Sequence, residues 1–177
     1  GYGQESGELW RHSLAVAACA RAISKRHNPT IIDDAFSAGL IPDCGKLILD
    51  RHLAVRSAMF QKYLSEGKRV FEAERAVFGF DHAQIAGSVC EKWDIPRRLV
   101  NAVQFHHAPS LLQVNELACI VHTANIVMHV PDMSAVSDIS SLELDPVAIR
   151  YLNLDIKHIA FAWNESQEYV SKTLGFL

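Results

Sequence analysis

Apolar residues recur every three or four positions along most of the chain, which is the spacing of one face of an α-helix. The first such stretch covers residues 8–27, and Asn28-Pro29 closes it. Thr30 is predicted to cap a second helix that runs to about Leu40, because Asp33 follows three residues after the cap. Pro42 falls near the end of this second helix. The pattern therefore opens with two helices joined by a short turn.

The same spacing predicts helices over most of the remaining chain and hardly any strand. Asp81 is placed to cap one of them, and Pro96 sits at the first turn of the next. A polar turn at residues 65–68 and an exposed loop at residues 131–141 interrupt the pattern. The further predicted helices cover residues 47–63, 82–93, 96–106, 111–130, 145–151 and 155–174. The fold class is therefore predicted as all-α, a compact helical bundle.

Length and composition fit one domain. A chain of 177 residues with 49% hydrophobic content can fill one core, so we expect a single domain over residues 1–177. The chain begins with glycine and enters a helical pattern almost at once, which suggests a fragment of a longer protein. Large aromatic residues are most simply core anchors: Trp10, Trp93 and Phe105.

Charge and cysteine content narrow the function classes. The net charge of −3, with Lys and Arg interspersed among acids, argues against a nucleic-acid partner. No apolar run reaches the roughly 20 residues that cross a bilayer, and no signal peptide is recognisable, so we expect no membrane association and a cytoplasmic location. The cysteines are far apart and are predicted to be reduced thiols: Cys19, Cys44, Cys90 and Cys119.

Side chains that could bind a metal are scattered over the predicted helices. They are Glu8, His12, Asp43, His82, His106 and His107. Glu8 and His12 are four residues apart and share one helix face. Imidazole suits first-row transition metals, and one aspartate can bridge two ions. A bound metal would lower the pKa of its water and create a nucleophile.

Each candidate also has a purely structural interpretation. His12 and His82 could be buried histidines that hydrogen-bond between helices. Asp43 could cap the helix that begins near Gly45, and Lys46 could be a solvated or ion-paired lysine. Adjacent helical positions lie about 100° apart, so His106 and His107 are expected to diverge on a regular helix. The remaining helical histidines are assigned no role: His27, His52, His129 and His158.

Five short segments together carry a family resemblance. They are LWRHS at 9–13, GLIPDCGK at 39–46, GFDHAQIAG at 79–87, WDIP at 93–96 and FHH at 105–107. In order and interval they resemble the HD superfamily, and most closely the HDOD domains, which are related to HD-GYP cyclic-dinucleotide phosphodiesterases. The resemblance covers about residues 9–130.

The resemblance has several implications for function. It implies that the six candidate residues occupy metal-ligand positions, that Fe, Mn or Zn is the candidate ion, and that Lys46 faces phosphate. It further implies a bacterial cytoplasmic regulator with a protein partner or an upstream sensor, with a cyclic nucleotide as a candidate ligand. HDOD proteins usually carry another helical half before this region.

The chain departs from the family pattern at positions that are expected to hold metal ligands. Pro42 stands where the histidine of the His-Asp doublet is expected, and Asn125 stands where the last aspartate is expected. Ala108-Pro109-Ser110 replaces the Gly-Tyr-Pro stretch of HD-GYP enzymes, while His122 could substitute as a ligand. The leading hypothesis is a non-catalytic signalling or scaffold domain. The alternatives are a metal-dependent phosphohydrolase that uses the surviving ligands and a metal sensor without turnover.

Overall fold

The fold is a bundle of helices. A computed structural model of the chain describes residue 2, residues 7–113 and residues 115–175. None of these residues forms a strand, which confirms the predicted all-α class. The nine helices of the described residues are α1 (Glu8–His27), α2 (Ile32–Leu40), α3 (Cys44–Ser65), α4 (Val70–Phe78), α5 (His82–Lys92), α6 (Arg97–Gln104), α7 (Glu116–Met128), α8 (Pro146–Leu152) and α9 (Ile156–Leu174).

The main core is built around α1, which packs against α2, α7 and α9. Small side chains in α1 allow a close approach, since Ala17 and Ala20 are completely buried. A Cβ atom added at Gly39 of α2 would lie 2.8 Å from the Cα atom of Ala17. Contacts this short need a glycine, so α2 and α1 are held backbone to backbone. Of this closely packed pair of helices, α1 contains His12, and α2 ends three residues before Asp43.

A second close contact joins the start of α3 to the start of α5. A Cβ atom added at Gly45 would lie 2.0 Å from the carbonyl oxygen of His82. The lack of a side chain at Gly45 therefore lets Asp43, which directly precedes α3, lie beside His82. A small separate core of Leu53, Phe60 and residues of α4 supports this corner of the molecule.

The predicted cap of α5 is confirmed. The Asp81 carboxylate accepts a hydrogen bond from the Gln84 amide at 2.9 Å, and the Gln84 side chain accepts one from the Asp81 amide at 3.0 Å. Arg75 donates to the other Asp81 oxygen at 2.7 Å. This reciprocal arrangement is a capping box, and it fixes His82 as the first residue of α5.

Several predicted helix limits were wrong because side chains cap at other positions. Asn28, and not Thr30, caps a 3₁₀ turn over Pro29–Ile31, and α2 begins only after that turn. α7 begins at Glu116 instead of residue 111, since Asn115 accepts a hydrogen bond from the amide of Ala118. α4 was missed altogether. Its inner face includes the fully buried acid Glu74, which interrupts the apolar pattern.

The interpretation of two tryptophans was also wrong. Trp10 is 53% exposed and Trp93 is 74% exposed, so neither anchors the core, while Phe105 is half-buried. The four cysteines are free thiols, as predicted, and Cys44 is the least buried of them. Within the described part of the chain, every helix is too short or too polar to cross a bilayer.

Candidate metal centre

Three predicted ligands come together where the starts of α3 and α5 meet the turn after α6. The metal-binding nitrogen atoms of His82, His106 and His107 lie within 4.8 Å of one another. Asp43 joins them, because its Oδ1 atom is 3.2 Å from Nε2 of His82. Residues up to 64 positions apart in sequence are thereby collected at one point.

The paired histidines converge, contrary to the expectation that they diverge on a helix. α6 ends at Gln104, and the next three residues form a turn. The ring centroids of His106 and His107 are 3.9 Å apart. His106 is completely buried, and His107 is half-buried with its ring stacked on Phe71 at 4.2 Å. Leaving the helical path is what brings both imidazoles to the same centre.

His82 is oriented by a buried carboxylate. Its Nδ1 atom lies 2.7 Å from Oε2 of Glu74, and its backbone amide donates to the same oxygen at 2.8 Å. The hydroxyl of Tyr2 donates to the other Glu74 oxygen at 2.6 Å. With Nδ1–H donated to Glu74, Nε2 is directed towards the cluster, as in carboxylate-supported metal ligands. Burial opposes a charge on His82, but its contacts with Asp43 and Glu74 outweigh burial and raise its pKa.

His106 presents an unprotonated nitrogen to the centre. Its Nδ1 atom donates to the carbonyl oxygen of Val103 at 2.7 Å, which leaves Nε2 as the acceptor atom. That Nε2 atom is buried and has no hydrogen-bond partner. Burial, helped by the nearby His82, lowers the pKa of His106 to about 3. Burial, helped by the neighbouring His106 and His82, lowers the pKa of His107 well below its ordinary value. Both imidazoles are therefore neutral at pH 7.

Asp43 does not act as a helix cap, although it occupies the cap position of α3. Its Oδ2 atom accepts a hydrogen bond from Nζ of Lys46 at 2.9 Å and lies 3.7 Å from Nε2 of His12. Its Oδ1 atom is buried and accepts no well-directed hydrogen bond, although it lies 3.2 Å from Nε2 of His82, which is also 2.9 Å from Nε2 of His107. Burial favours the neutral acid, but His82, Lys46 and His12 outweigh it and hold the pKa of Asp43 well below its ordinary value.

The other predicted residues lie outside the three-histidine cluster. His12 Nε2 is 3.0 Å from Oδ1 of Asn125, and its ring stacks on that of His129 with centroids 4.5 Å apart. Glu8 is an exposed residue at the start of α1 and is outside the three-histidine cluster. Lys46 is buried and ion-paired, as one of its two structural interpretations held.

His122 has no nitrogen available for a metal. Its Nδ1 atom donates to the carbonyl oxygen of His106 at 2.8 Å, and its Nε2 atom accepts from the backbone amide of Asp145 at 2.8 Å. Burial lowers the pKa of His122, which suits the neutral form that both contacts require. His122 therefore ties the turn of His106 to the start of α8.

A cavity of about 570 Å³ opens beside the cluster. His82, His107 and Lys46 line one side of it, and Asn125 lines another. Its size falls within the range of small-molecule sites in proteins. The predicted position of Lys46 near a ligand space is thus compatible with the structure, although its ammonium group is paired with Asp43.

Sequence reasoning missed two residues of this region, Glu74 and His129. Glu74 could have been noticed as one acid in the apolar stretch of 70–78, eight positions before His82. His129 follows Asn125 by four positions, so the two share a helix face. Neither signal stands out among the ordinary polar residues of a helical protein.

Comparison with known proteins gives the family. The family model of the HDOD domain matches residues 1–109, more than half of the chain. The chain belongs to the HDOD family. No curated protein matches the sequence. None of these comparisons supports a cyclic nucleotide as the ligand.

Three solved structures share the fold of this HDOD chain. An HDOD domain protein of unknown function from Geobacter sulfurreducens has a TM-score of 0.70 at 21% identity, over 95% of this chain and 61% of its own. A candidate phosphohydrolase from Shewanella amazonensis SB2B has a TM-score of 0.68 at 17% identity, over 93% and 65%. The MmoQ response regulator from Methylococcus capsulatus str. Bath has a TM-score of 0.60 at 19% identity, over 92% and 62%. The chain thus spans less than two thirds of each relative.

Proposed function

We propose that this HDOD domain is a non-catalytic regulatory module that holds a single divalent transition-metal ion. The observation that carries the proposal is the three-histidine cluster itself, in which Nε2 of His106 is buried without a hydrogen-bond partner. Oδ1 of Asp43 faces the same cluster and lies 3.2 Å from Nε2 of His82. Buried polar atoms are almost always paired, so an unpaired imidazole nitrogen at a cluster that also holds a carboxylate oxygen points to a cation.

The chemistry of the donor set suits such an ion. Metal binding requires neutral imidazoles and ionised carboxylates, and the pKa shifts of His106, His107 and Asp43 favour those forms. The pKa of His82 is raised by Asp43 and Glu74, so an ion bound there would displace a proton from Nε2 of His82. Nitrogen and oxygen donors of this kind fit Fe²⁺, Mn²⁺ or Zn²⁺. When bound, the ion would supply a positive charge beside Asp43 and a Lewis acid at the cavity. Glu74 would hold the ring of His82 in place for it.

The surroundings of His12 argue against a two-ion hydrolase. A second ion would need the other oxygen of Asp43, but Lys46 already neutralises that oxygen at 2.9 Å. His12 is paired with the uncharged Asn125, and Pro42 supplies no imidazole. Two ions that clamp the attacking and leaving oxygens are the usual means of phosphodiester cleavage. We therefore infer regulation without turnover.

A regulatory module needs something to act on. The shared fold with a response regulator, together with the partial coverage of every solved relative, supports an upstream sensor or a protein partner. In this proposal, the ion stabilises the region where the starts of α3 and α5 meet the turn after α6. The affinity for the partner then depends on whether this region is stabilised.

The proposal is tested by metal content and by turnover on one preparation. Protein freed of metal with chelator is incubated with Zn²⁺, Mn²⁺ or Fe²⁺, desalted and analysed for elements. We expect about one ion per chain, lost in Asp43→Ala and kept in the exposed control His52→Ala. Hydrolysis of bis(p-nitrophenyl) phosphate should stay at the level of the metal salt alone. Protein that stays metal-free under every condition would contradict the metal site.

A metal-dependent phosphohydrolase is the second candidate, and the cavity beside the cluster is the observation that favours it. Its prediction is the reverse in the same assay. Turnover that depends on added Mn²⁺ or Fe²⁺ and disappears in Asp43→Ala, but not in His52→Ala, would replace the non-catalytic proposal with this one.

A further inference from the structure

Two basic residues lie at the wall of the cavity, on a part of the chain outside the family segments. Lys68 and Arg69 precede α4, and both line the 570 Å³ space together with Phe71 and the histidines. We infer that this cavity binds a small phosphate monoester with a compact apolar body, whose anionic head lies at Lys68 and Arg69. The inference deepens the proposed function by naming the signal, but the basic wall exists independently of any metal.

Arg69 is held in a fixed orientation from one side. Its Nη2 atom donates to Oε1 of Glu72 at 2.6 Å, and its backbone amide donates to the other oxygen of that carboxylate at 2.9 Å. Its guanidinium also lies over the ring of Phe71, at 4.6 Å from the centroid. Neither of these hydrogen bonds involves Nη1, which lies 4.0 Å from Oε2 of Glu143, another residue that lines the cavity. A planar guanidinium held in this way is pre-organised to bind an anion.

The group that now faces Nη1 is easily displaced. Oε2 of Glu143 is 4.0 Å from Nη1, which is too far for a hydrogen bond. Glu143 is 80% exposed, comes from the loop that precedes α8, and lines the same cavity as Arg69. An exposed ion pair at this separation contributes little free energy. A ligand anion could therefore replace Glu143 at Arg69 with little loss.

The remaining walls indicate what the anion should carry. The cavity is also lined by apolar side chains: Leu64, Val70, Phe71, Ile126, Val130 and Leu142. Such apolar walls favour a ligand with an apolar body, because its burial removes that surface from water. Two nearby cations, one of them a guanidinium, match a phosphate dianion better than a monoanionic carboxylate. The combination points to a phosphate monoester rather than inorganic phosphate.

Phenylphosphonate is a suitable probe because it cannot be hydrolysed at the phosphonate. Binding is measured by calorimetry on the folded chain, with and without bound Zn²⁺, against inorganic phosphate and benzoate. We expect phenylphosphonate to bind metal-free protein at least several-fold more tightly than either comparison ligand. Arg69→Gln should weaken it about tenfold, while Arg98→Gln, which removes an exposed arginine paired with Asp34 outside the cavity, should leave it unchanged.

Glu143→Gln gives a second test that loss of folding cannot imitate. Removing the competing carboxylate should tighten phenylphosphonate binding by about threefold. Equal binding of benzoate, equal binding of inorganic phosphate, or no effect of Arg69→Gln and Glu143→Gln would each overturn the inference. Because the metal content is determined separately, phosphonate binding by metal-free protein supports this site even where the metal proposal fails.

Discussion

The two oxygens of Asp43 face different surroundings. Oδ2 is satisfied within the protein, by a hydrogen bond from Lys46 at 2.9 Å with His12 beyond it at 3.7 Å. Oδ1 lies in the cluster of His82, His106 and His107 and accepts no well-directed hydrogen bond. We call these surroundings the closed side and the open side of Asp43. The difference shows that one carboxylate can pair with a lysine of the protein through one oxygen while its other oxygen faces a cluster of imidazoles.

The first prediction concerns the support of the open side. Glu74→Ala leaves the buried imidazole of His82 without its carboxylate and the hydroxyl of Tyr2 without an acceptor. Breaking a buried charged pair costs about 3–5 kcal/mol, so we expect about 3 kcal/mol less free energy of unfolding. Urea denaturation measures the change. Glu72→Ala, on the same helix but only half-buried, should cost less than about 1 kcal/mol. Equal effects would mean that Glu74 is not a supporting residue.

The second prediction separates the two sides by metal affinity. His106→Ala removes a proposed ligand from the open side, and we expect Zn²⁺ affinity to fall at least about 100-fold, or about 2.7 kcal/mol. His12→Ala removes an imidazole that pairs with Asn125 on the closed side, so the affinity should change less than about threefold. Competition with a chromogenic chelator provides the measurement. Similar losses in both variants would show that the ion spans both sides of Asp43.

The third prediction is a pH dependence in metal-free protein. The pKa of His106 is lowered from 6.5 to about 3, so below pH 6.5 the unfolded chain takes up a proton that the folded chain excludes. Its contribution to stability is fully present above pH 6.5 and is lost as the pH falls towards 3, by about 1.4 kcal/mol per pH unit. His82 has the opposite sign, because its pKa is raised and its contribution is lost as the pH rises above 6.5.

Variants isolate the contribution of His106 to the pH dependence of the free energy of unfolding. Urea denaturation between pH 4.5 and 6.5 should show a slope that is smaller by about one proton in His106→Gln than in the unmodified chain. The exposed control His52→Gln should keep the slope of the unmodified chain. A parallel slope in His106→Gln would mean that His106 is not held neutral.

The smallest expected effect comes from reopening the closed side. Asn125→Asp adds a carboxylate beside His12, whose Nε2 atom also lies 3.7 Å from Oδ2 of Asp43. We expect a second, weaker Zn²⁺ site, with a gain of about tenfold in affinity over any binding in the unmodified chain. Isothermal titration gives the stoichiometry. Asn164→Asp adds the same charge on the exposed face of α9 and should leave one site. A single site in both variants would show that Asn125 does not close that side.

Much of the fold could be predicted from local patterns. Helical spacing of apolar residues placed α1, α2, α5, α8 and α9 close to their observed limits, since an amphipathic face is a property of consecutive residues. The cap of α5 at Asp81 could also be predicted, because its partner Gln84 is only three residues away in the sequence. α4 was not, since Glu74 lies on its inner face and is stabilised by His82 and Tyr2, which are distant in sequence.

The candidate site divides in the same way. The sequence provided the residue types, the motif order and the loss of ligands at Pro42 and Asn125. It could not decide whether Asp43 caps α3 or faces a cluster, because both are available to an aspartate before a helix. It predicted divergent rings for His106 and His107, and only the turn after α6 brings them together.

The amino-acid order determined which helices form and which ligand types are present, because propensity, periodicity and capping act over a few residues. The tertiary structure decided that the two oxygens of Asp43 have different surroundings, the closed side and the open side. That division depends on Gly45 packing against the backbone of His82, on Lys46 reaching Oδ2, and on a turn that ends α6 early. Such contacts are set by the packing of helices far apart in the chain, which no local pattern records.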